Sequence, residues 1–368
     1  MALLCTAPPL LEPVQLSELK LMLRVDSGDT TQDDVINGLA LAARGWCETV
    51  TQRRFVQQTW QLSQDYFPGY IDSKIAGSRI SSPFVSGANA LLVGIRYAFQ
   101  LPFPPVQTLN SFTYQDANGG LTSMVQGPFN ISSVSNVTGQ PVVVTTSTAH
   151  NLITNAGVTF ANNANLLTLL AGNPNQTVIV LTPTTFSIQY VVGTGTTITG
   201  TGTVTGYNFV LDLLSQPARL TPVFGTVWPV ARVTTNAVQL SYTLGYASVI
   251  SVTTTASSAT LGTATFTSAN VGQPVYIPGA GVSGGSLNTI IQSVSGGVPT
   301  LRDLPSTTIS SPVSALLVNF GTPVHFELVR TAIKFLVSNW FVRRLPSFDK
   351  DIRESLEAIL SPCMDKRA

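Results

Sequence analysis

A chain of 368 residues with 19 basic and 18 acidic side chains is close to neutral, and only 10% of it is charged against 44% hydrophobic. That balance excludes a dedicated nucleic-acid binder, which needs a basic face to exchange for phosphate counterions, and the length predicts two or three domains rather than one core. Cys5, Cys47 and Cys363 are scattered without CxxC spacing, the pattern of free thiols in a reducing compartment, and no stretch reaches the length of a membrane span.

Charge is concentrated at the ends: residues 1–54 and 321–368 hold 26 of the 37 charged side chains, and between Asp116 and Asp212 there is none. The middle must stay in solution on Thr, Ser, Asn and Gly. The opening MALLC lacks the basic region and apolar run of a lipoprotein signal, so the expectation is a soluble protein made in the cytoplasm.

Pro8, Pro9 and Pro13 make the first residues an irregular lead. Leu16, Leu19 and Leu23 recur at helical spacing over 16–24, and Asp26 to Asp29 form an acidic turn. Thr30, Thr31, Asp33 and Asp34 supply cap and first-turn chemistry for a long helix reaching Val50. Val35, Leu39, Ala42, Trp46 and Val50 predict its apolar face and Asn37, Arg44, Glu48 and Thr51 its wet face, while Cys47 shares a third strip with Ile36, Ala40 and Ala43. Helices joined this closely are expected as an antiparallel pair. After Arg53 and Arg54 the period changes to two. Val56, Trp60, Leu62 and Tyr66 alternate with Thr59, Gln61, Ser63 and Asp65 in a half-buried strand stopped by Pro68.

A Gly- and Ser-rich loop and a run at Ala90–Tyr97 follow. Leu109–Tyr114 and Leu121–Val125 then flank Asp116–Gly120 as a hairpin. From Ser132 to Tyr207, β-branched runs broken by Asn, Gly and Pro predict strands, as does a second tract from Ser248 to Asn319. At roughly 70 residues each, these tracts bury only modest cores. Between them stand Pro217–Pro229 and Asn236–Ala247, where Val238, Leu240, Tyr242 and Leu244 alternate. Thr322 and Pro323 open a helix on which Val329, Ile333, Leu336 and Trp340 form a stripe broadened by Leu328, Ala332, Phe335 and Val337. His325, Glu327, Arg330, Lys334 and Ser338 are among its few polar positions, so the helix needs cover on more than one side. Pro346 ends it, and Ser347–Leu360 make a last amphipathic helix with Asp349–Arg353 and Arg353–Glu357 pairs.

Four of these elements form an ordered series: LRVD at Leu23–Asp26, the Ala-rich helix Asp33–Val50, T.R.F at Thr51–Phe55, and QTW.L..D.FP at Gln58–Pro68. The series resembles the opening of the head-tail connector (adaptor) proteins of tailed bacteriophages. The Pro-Pro-Val strand with its hairpin, the Pro-Ala-Arg-Leu segment at Pro217–Leu220 and the apolar helix ending near Trp340–Arg344 are similar to the same family. The resemblance covers about 14–131, 208–247 and 320–362, and the two β tracts depart from it. They resemble small β modules that recur in phage structural proteins.

What the resemblance implies is an α+β fold: a helical body (N-terminal helix pair plus C-terminal helices) with a small antiparallel sheet and two inserted all-β modules. The expected divisions are body at 1–131, module at 132–207, body strands at 208–247, module at 248–319, and C-terminal helices with a portal-binding tail at 320–368. The implied function is structural. A ring of about twelve copies in head-to-tail contact would join the capsid portal to the tail, with a downstream neck or tail-completion protein as its other partner. DNA would pass through without specific binding, and the place of action would be the virion neck, assembled in the host cytoplasm. Portal contact carries over to Leu360, Pro362, Cys363 and Met364, and the shared core to Leu23, Leu39, Trp46, Trp60, Ile333 and Trp340. The β modules are expected to project outward. A tail-tube, baseplate or fibre component is the alternative, favoured by the β content.

No enzymatic site is expected. His150 and His325 lie far apart, one in a strand-to-turn segment and one on a wet helix face, which argues against a triad or a His-ligated metal. Gly279, Gly281 and Gly284 spell GxGxxG, but Ser286–Val294 has strand character where a phosphate-binding helix would stand. Residues 117–211 hold no carboxylate for glycoside hydrolysis. No cofactor and no metal are expected.

Overall fold

A computed structural model of the chain describes residues 1–68, 98–196, 198, 202–320, 323–343 and 350–364. The run at Ala90–Tyr97, the Thr322 cap, Arg344, Pro346 and Asp349 lie outside the described residues. In chain order the elements open with β1 (Ala2–Ala7), α1 (Leu16–Leu23), α2 (Asp33–Thr51), β2 (Gln58–Gln64), β3 (Phe99–Leu101), β4 (Val106–Gln115) and β5 (Leu121–Ser123). Next come β6 (Val125–Ser135), β7 (Pro141–Thr146), β8 (Gly157–Ala161), α3 (Ala164–Leu169), β9 (Asn175–Thr182), β10 (Thr185–Val192) and β11 (Thr203–Tyr207). After β12 (Phe209–Asp212), β13 (Ala218–Pro222) and β14 (Val238–Leu244) stand β15 (Ala247–Thr254), β16 (Leu261–Gly262), β17 (Pro274–Ile277), β18 (Leu287–Ser295), β19 (Val298–Leu301) and β20 (Ile309–Val318). The last two helices are α4 (Pro323–Arg343) and α5 (Lys350–Leu360).

These strands form four sheets: five strands in the order β1-β2-β14-β4-β5, a closed barrel β10-β7-β6-β11-β8-β9, three strands β12-β13-β3, and six strands β16-β15-β20-β17-β18-β19. The expected α+β class with a helical body is therefore corrected. The protein is mostly β, 40% strand against 22% helix. The helices of the series do form, but their apolar faces pack onto strands as well as onto each other, so sheet rather than helix bundle organises the interior. Two compact units result. One comprises Met1–Leu4, Gln61–Leu101 and Leu109–Tyr242, the other Cys5–Trp60, Pro102–Thr108 and Thr243–Ala368.

In the first unit the barrel has its own core. Alternate residues point inward along each strand: Val142 and Val144 on β7, Val158 and Phe160 on β8, Phe186 and Ile188 on β10, with Ile131, Val178 and Val204 from the others. Register brings Val144 opposite Phe186, Val178 opposite Ile188 and Val204 opposite Phe160. Closure leaves no open edge, which matters for strands carrying almost no charge to deter stray pairing. Asn163 caps α3 by accepting from the Leu166 amide at 2.9 Å, and Leu166 and Leu170 add to the interior. His150 is buried edge-on to Phe186, and its Nδ1 accepts from the Leu152 amide at 3.1 Å. Burial holds its protonation below the ordinary histidine range, consistent with an accepting nitrogen. The hairpin stands where its turn chemistry places it, with Gln115 opposite Leu121 and Asp116 Oδ1 accepting from the amides of Asn118 and Gly120 at 2.9 and 2.8 Å.

In the second unit the six-stranded sheet is covered on both faces, and the period of two assigns each residue to a side. On β20 Leu316 and Val318 face the helices while Ala315 and Leu317 face the opposite core, and on β17 Tyr276 and Val275 divide the same way. Against the first face pack Ile36, Ala40, Ala43 and Cys47 of α2 and Phe326, Val329, Ala332, Ile333, Leu336, Val337 and Trp340 of α4. The buried side of α2 is thus the small-residue strip, whose alanines admit close approach of α4. Val35, Leu41 and Ala42 are exposed, while Arg44, Glu48 and Thr51, expected on the wet face, are buried.

Arg330 on α4 joins the layers. It is 2% exposed, donates from Nε to the Pro13 carbonyl at 3.0 Å, pairs with both Glu18 of α1 (2.7 Å) and Glu327 (3.2 Å), and lies 4.0 Å over the Tyr276 ring. Tyr276 in turn donates to Glu327, and Lys334 reaches Glu18 at 2.8 Å. Removing one partner of such a pair leaves buried charge without compensation. We expect Arg330→Ala to lower stability by about 3 kcal/mol in urea unfolding, while Arg219→Ala, whose pair with Asp212 is surface-exposed, costs less than about 1 kcal/mol. Equal small losses would contradict the joining role of Arg330.

Candidate assembly surfaces

The charged residues of the N-terminal series make structure rather than a binding face. Lys20 pairs with Asp33 at 2.6 Å and donates to the Asp29 carbonyl at 2.8 Å, closing the turn between α1 and α2. Thr31 donates to Asp29 instead of capping α2, which begins after Gln32 without a side-chain cap. Glu48 accepts from the Phe55 amide at 3.2 Å, from Gln58 Nε2 at 2.9 Å and from Arg44 Nη1 at 3.2 Å, and Arg44 Nε reaches Glu12 at 2.7 Å. Burial pushes the Glu48 carboxyl up, and Arg44 and Arg54 pull it back. Arg54 lies 3.7 Å over Phe103 and 5.0 Å over Trp60. The T.R.F and QTW motifs therefore meet through α2, and Leu23 and Val25 of LRVD pack against the cluster that α2 lines.

Of the expected core residues, Ile333 and Trp340 are buried, and Leu23, Leu39 and Trp46 are half-buried against the same cluster. Trp60 is half-buried, donating to Gln58 Oε1 at 3.0 Å and edge-on to Phe103. At the C-terminal segment Leu360 and Cys363 are buried in that cluster, Met364 packs against it, and Pro362 is exposed. The Cys363 thiol donates to the His325 carbonyl at 3.6 Å. His325 is half-buried near Tyr246 rather than on a wet face.

Sequence reasoning passed over a surface in the first unit. Phe67, Phe99, Phe112 and Trp228 form an aromatic cluster, with Trp228 stacked on Phe67 at 5.3 Å. Trp228 and buried Val223 pin the loop after β13, which is further held by the Arg232 amide on Gln115 O and the Asn236 amide on Asp65, both 2.9 Å. From this pinned loop Phe224, Val227, Val230 and Val233 project into solvent at 89, 78, 65 and 86% exposure. Beside it lies an open groove of about 620 Å³ lined by Tyr114, Leu121, Met124, Ile153, Asn208 and Val227 among others, none of them charged. The available signal was four apolar residues spaced by three in a segment with no strand alternation.

Among the described residues no group of His, Cys, Asp and Glu could hold a metal ion, and no helix is long and apolar enough to cross a membrane. In the GxGxxG stretch the residues that follow form β18, and a Cβ at Gly281 would meet the Ser286 carbonyl at 2.5 Å, so these glycines serve a tight turn.

No protein-family model matches the chain, and no curated protein does. Among solved structures, a chain from the neck of an empty GTA particle computed with C6 symmetry is 11% identical, with 100% of this chain and 97% of that chain covered at a TM-score of 0.42. A chain from the virion of a native gene transfer agent particle is 11% identical, with 67% and 72% covered at a TM-score of 0.30.

Burial pushes the Cys47 thiol up to about 12 and the Cys363 thiol up to about 11, whereas Cys5 is half-buried, its thiol raised by burial and drawn back by Arg54. Since the thiolate is the reactive form, a thiol reagent at pH 8 is expected to modify Cys5 in the folded protein and all three only after denaturation. Equal reaction rates at the three sites would contradict this packing.

Proposed function

We propose that the chain is a structural component of the neck of a phage-like particle: a head-tail connector whose copies form a ring between the portal and the tail. The observation that carries the reading is the ordered series at Leu23–Pro68, whose motifs are tied to one another through Glu48–Phe55 and Arg54–Trp60, with Leu23 and Val25 packed against the cluster that α2 lines. Motifs that need each other to satisfy buried charge behave as one inherited piece rather than as a chance run of letters. The role asks for no catalytic residue, and a near-neutral chain suits a channel through which DNA must slide without being held.

The proposed portal contact is the C-terminal segment. Pro362 and Met364 would present its surface, and Leu360 and Cys363 would anchor it to the core beneath. Contacts of this size are weak singly, and a ring of about twelve copies would multiply them into avidity. The share of strand and the closed barrel favour a second reading, a tail-tube, baseplate or fibre component.

Light scattering of the chain mixed with the portal protein of the same particle separates the two. The connector reading predicts a ring-sized complex that Pro362→Asp weakens without changing the circular dichroism of the free chain. A chain that ignores the portal and forms trimers or long tubes would move the assignment to a fibre or tail component.

A further inference from the structure

We infer that the two β tracts hold one module used twice: the first barrel is a self-contained module that the chain carries, and the second is the same module recruited as a wall for the helices. Strand order and register support this independently of the neck assignment.

Numbered one to six in chain order, β6 to β11 run around their barrel in the cyclic order one-two-five-four-three-six. Strands β15 to β20 follow the same order, because the outer strands β16 and β19 meet through a Thr260–Thr300 bridge and the Leu301 amide on the Ala259 carbonyl at 2.7 Å. A helical turn stands between strands three and four in both, α3 in one and Val282–Gly284 in the other. Register agrees as well. Val158 lies opposite Gln176 and one residue from the Thr159–Thr205 pair, as Val275 lies opposite Thr289 and beside the Tyr276–Leu316 pair. Val178 faces Ile188 as Ile291 faces Leu301. Asn155 and Gly272 enter strand three at φ 70° and 84°, and their amides donate to the Val178 and Ile291 carbonyls, both at 2.8 Å. Val178 and Ile291 donate in return to the carbonyls of Ala156 and Gln273 at 3.1 and 3.0 Å. Barrel closure alone demands none of these details. Inside, Ile131, Phe160 and Val204 stand where Val252, Ile277 and Ala315 do. Gly206 takes the place of Leu317, and the Leu152 side chain fills the space that a larger residue would need.

The modules part company on the outside of strands three and six. In the second, Tyr276, Leu316 and Val318 are buried in the cluster that α2 and α4 line. Their register counterparts in the first are Thr159, Thr205 and Tyr207, all half-buried, with the Thr159 hydroxyl donating to Asn175 Oδ1 at 2.7 Å. A hydroxyl in contact with water needs no apolar cover. The core of the first barrel is drawn from residues 129–204, and the chain enters and leaves it side by side, Val125 opposite Tyr207.

The test is made in the full chain. Replacing 126–206 by Asn-Gly closes Val125 onto Tyr207 as a two-residue hairpin. All four tryptophans lie outside that segment, so their fluorescence reports the remainder. The shortened chain is expected to stay folded by circular dichroism and to keep the urea midpoint of wild type by tryptophan fluorescence. Reciprocal substitutions at one register position read the difference between the modules: Leu316→Thr is expected to lower the midpoint, and Thr205→Leu to leave it unchanged by fluorescence and by circular dichroism. An unfolded or weakened shortened chain would overturn the self-contained role of the first barrel. Equal losses from Leu316→Thr and Thr205→Leu, or no loss from either, would overturn the recruitment of the second.

Discussion

One buried guanidinium sets the terms for the second unit. Arg330 reaches the irregular lead through Pro13, α1 through Glu18, its own helix through Glu327 and the sheet through the face of Tyr276. A cation so deeply buried is tolerable only when its hydrogen bonds are met and opposite charge lies close. Meeting that demand fixes where the lead, the first helix and β17 can lie. Glu48 imposes a similar condition at the other end of α2, gathering Arg44, Phe55 and Gln58 around one carboxylate. The few buried charges at the chain ends, Lys20, Arg44, Glu48, Arg53 and Arg330, are therefore an internal scaffold, and the uncharged middle is free to be sheet.

That division explains what was legible in the sequence. The hairpin around Asp116–Gly120 was, because its signals are local: a turn that Asp116 closes on its own backbone, between strands of period two. The helices were legible as helices for the same reason. The buried side of α2 was not. Bulky Val35, Leu39 and Trp46 outweighed Ile36, Ala40, Ala43 and Cys47 in hydropathy, but small residues are what a closely packed helix needs, and Arg44 and Glu48 can be buried once they neutralise each other. Hydropathy treats each as polar in isolation and cannot register the pairing.

The helical-body expectation fails for a related reason. The family resemblance rests on the helical ends, so the β tracts were weighed as insertions into a helical body. In the structure most of the regular secondary structure is strand, and α2 and α4 lie on a sheet to which the second tract contributes β15, β17 and β20. Barrel closure is equally non-local: the pairings of β11 with β6 and β8 and of β10 with β7 join segments whose own patterns say only that they are strands. The exposed loop at Phe224–Val233 escaped notice because an apolar residue in a sequence is assigned to a core by default. Burial of Trp228 and exposure of its neighbours become visible only with the aromatic cluster in place.

The proposed assignment to a particle neck is tested most directly by electron cryo-microscopy of the intact particle that carries this protein. The account predicts a ring of density between head and tail into which the six-strand barrel and the helix-covered six-stranded sheet both fit. Density for these sheets in the tail tube, baseplate or a fibre, with none in the neck, would contradict it.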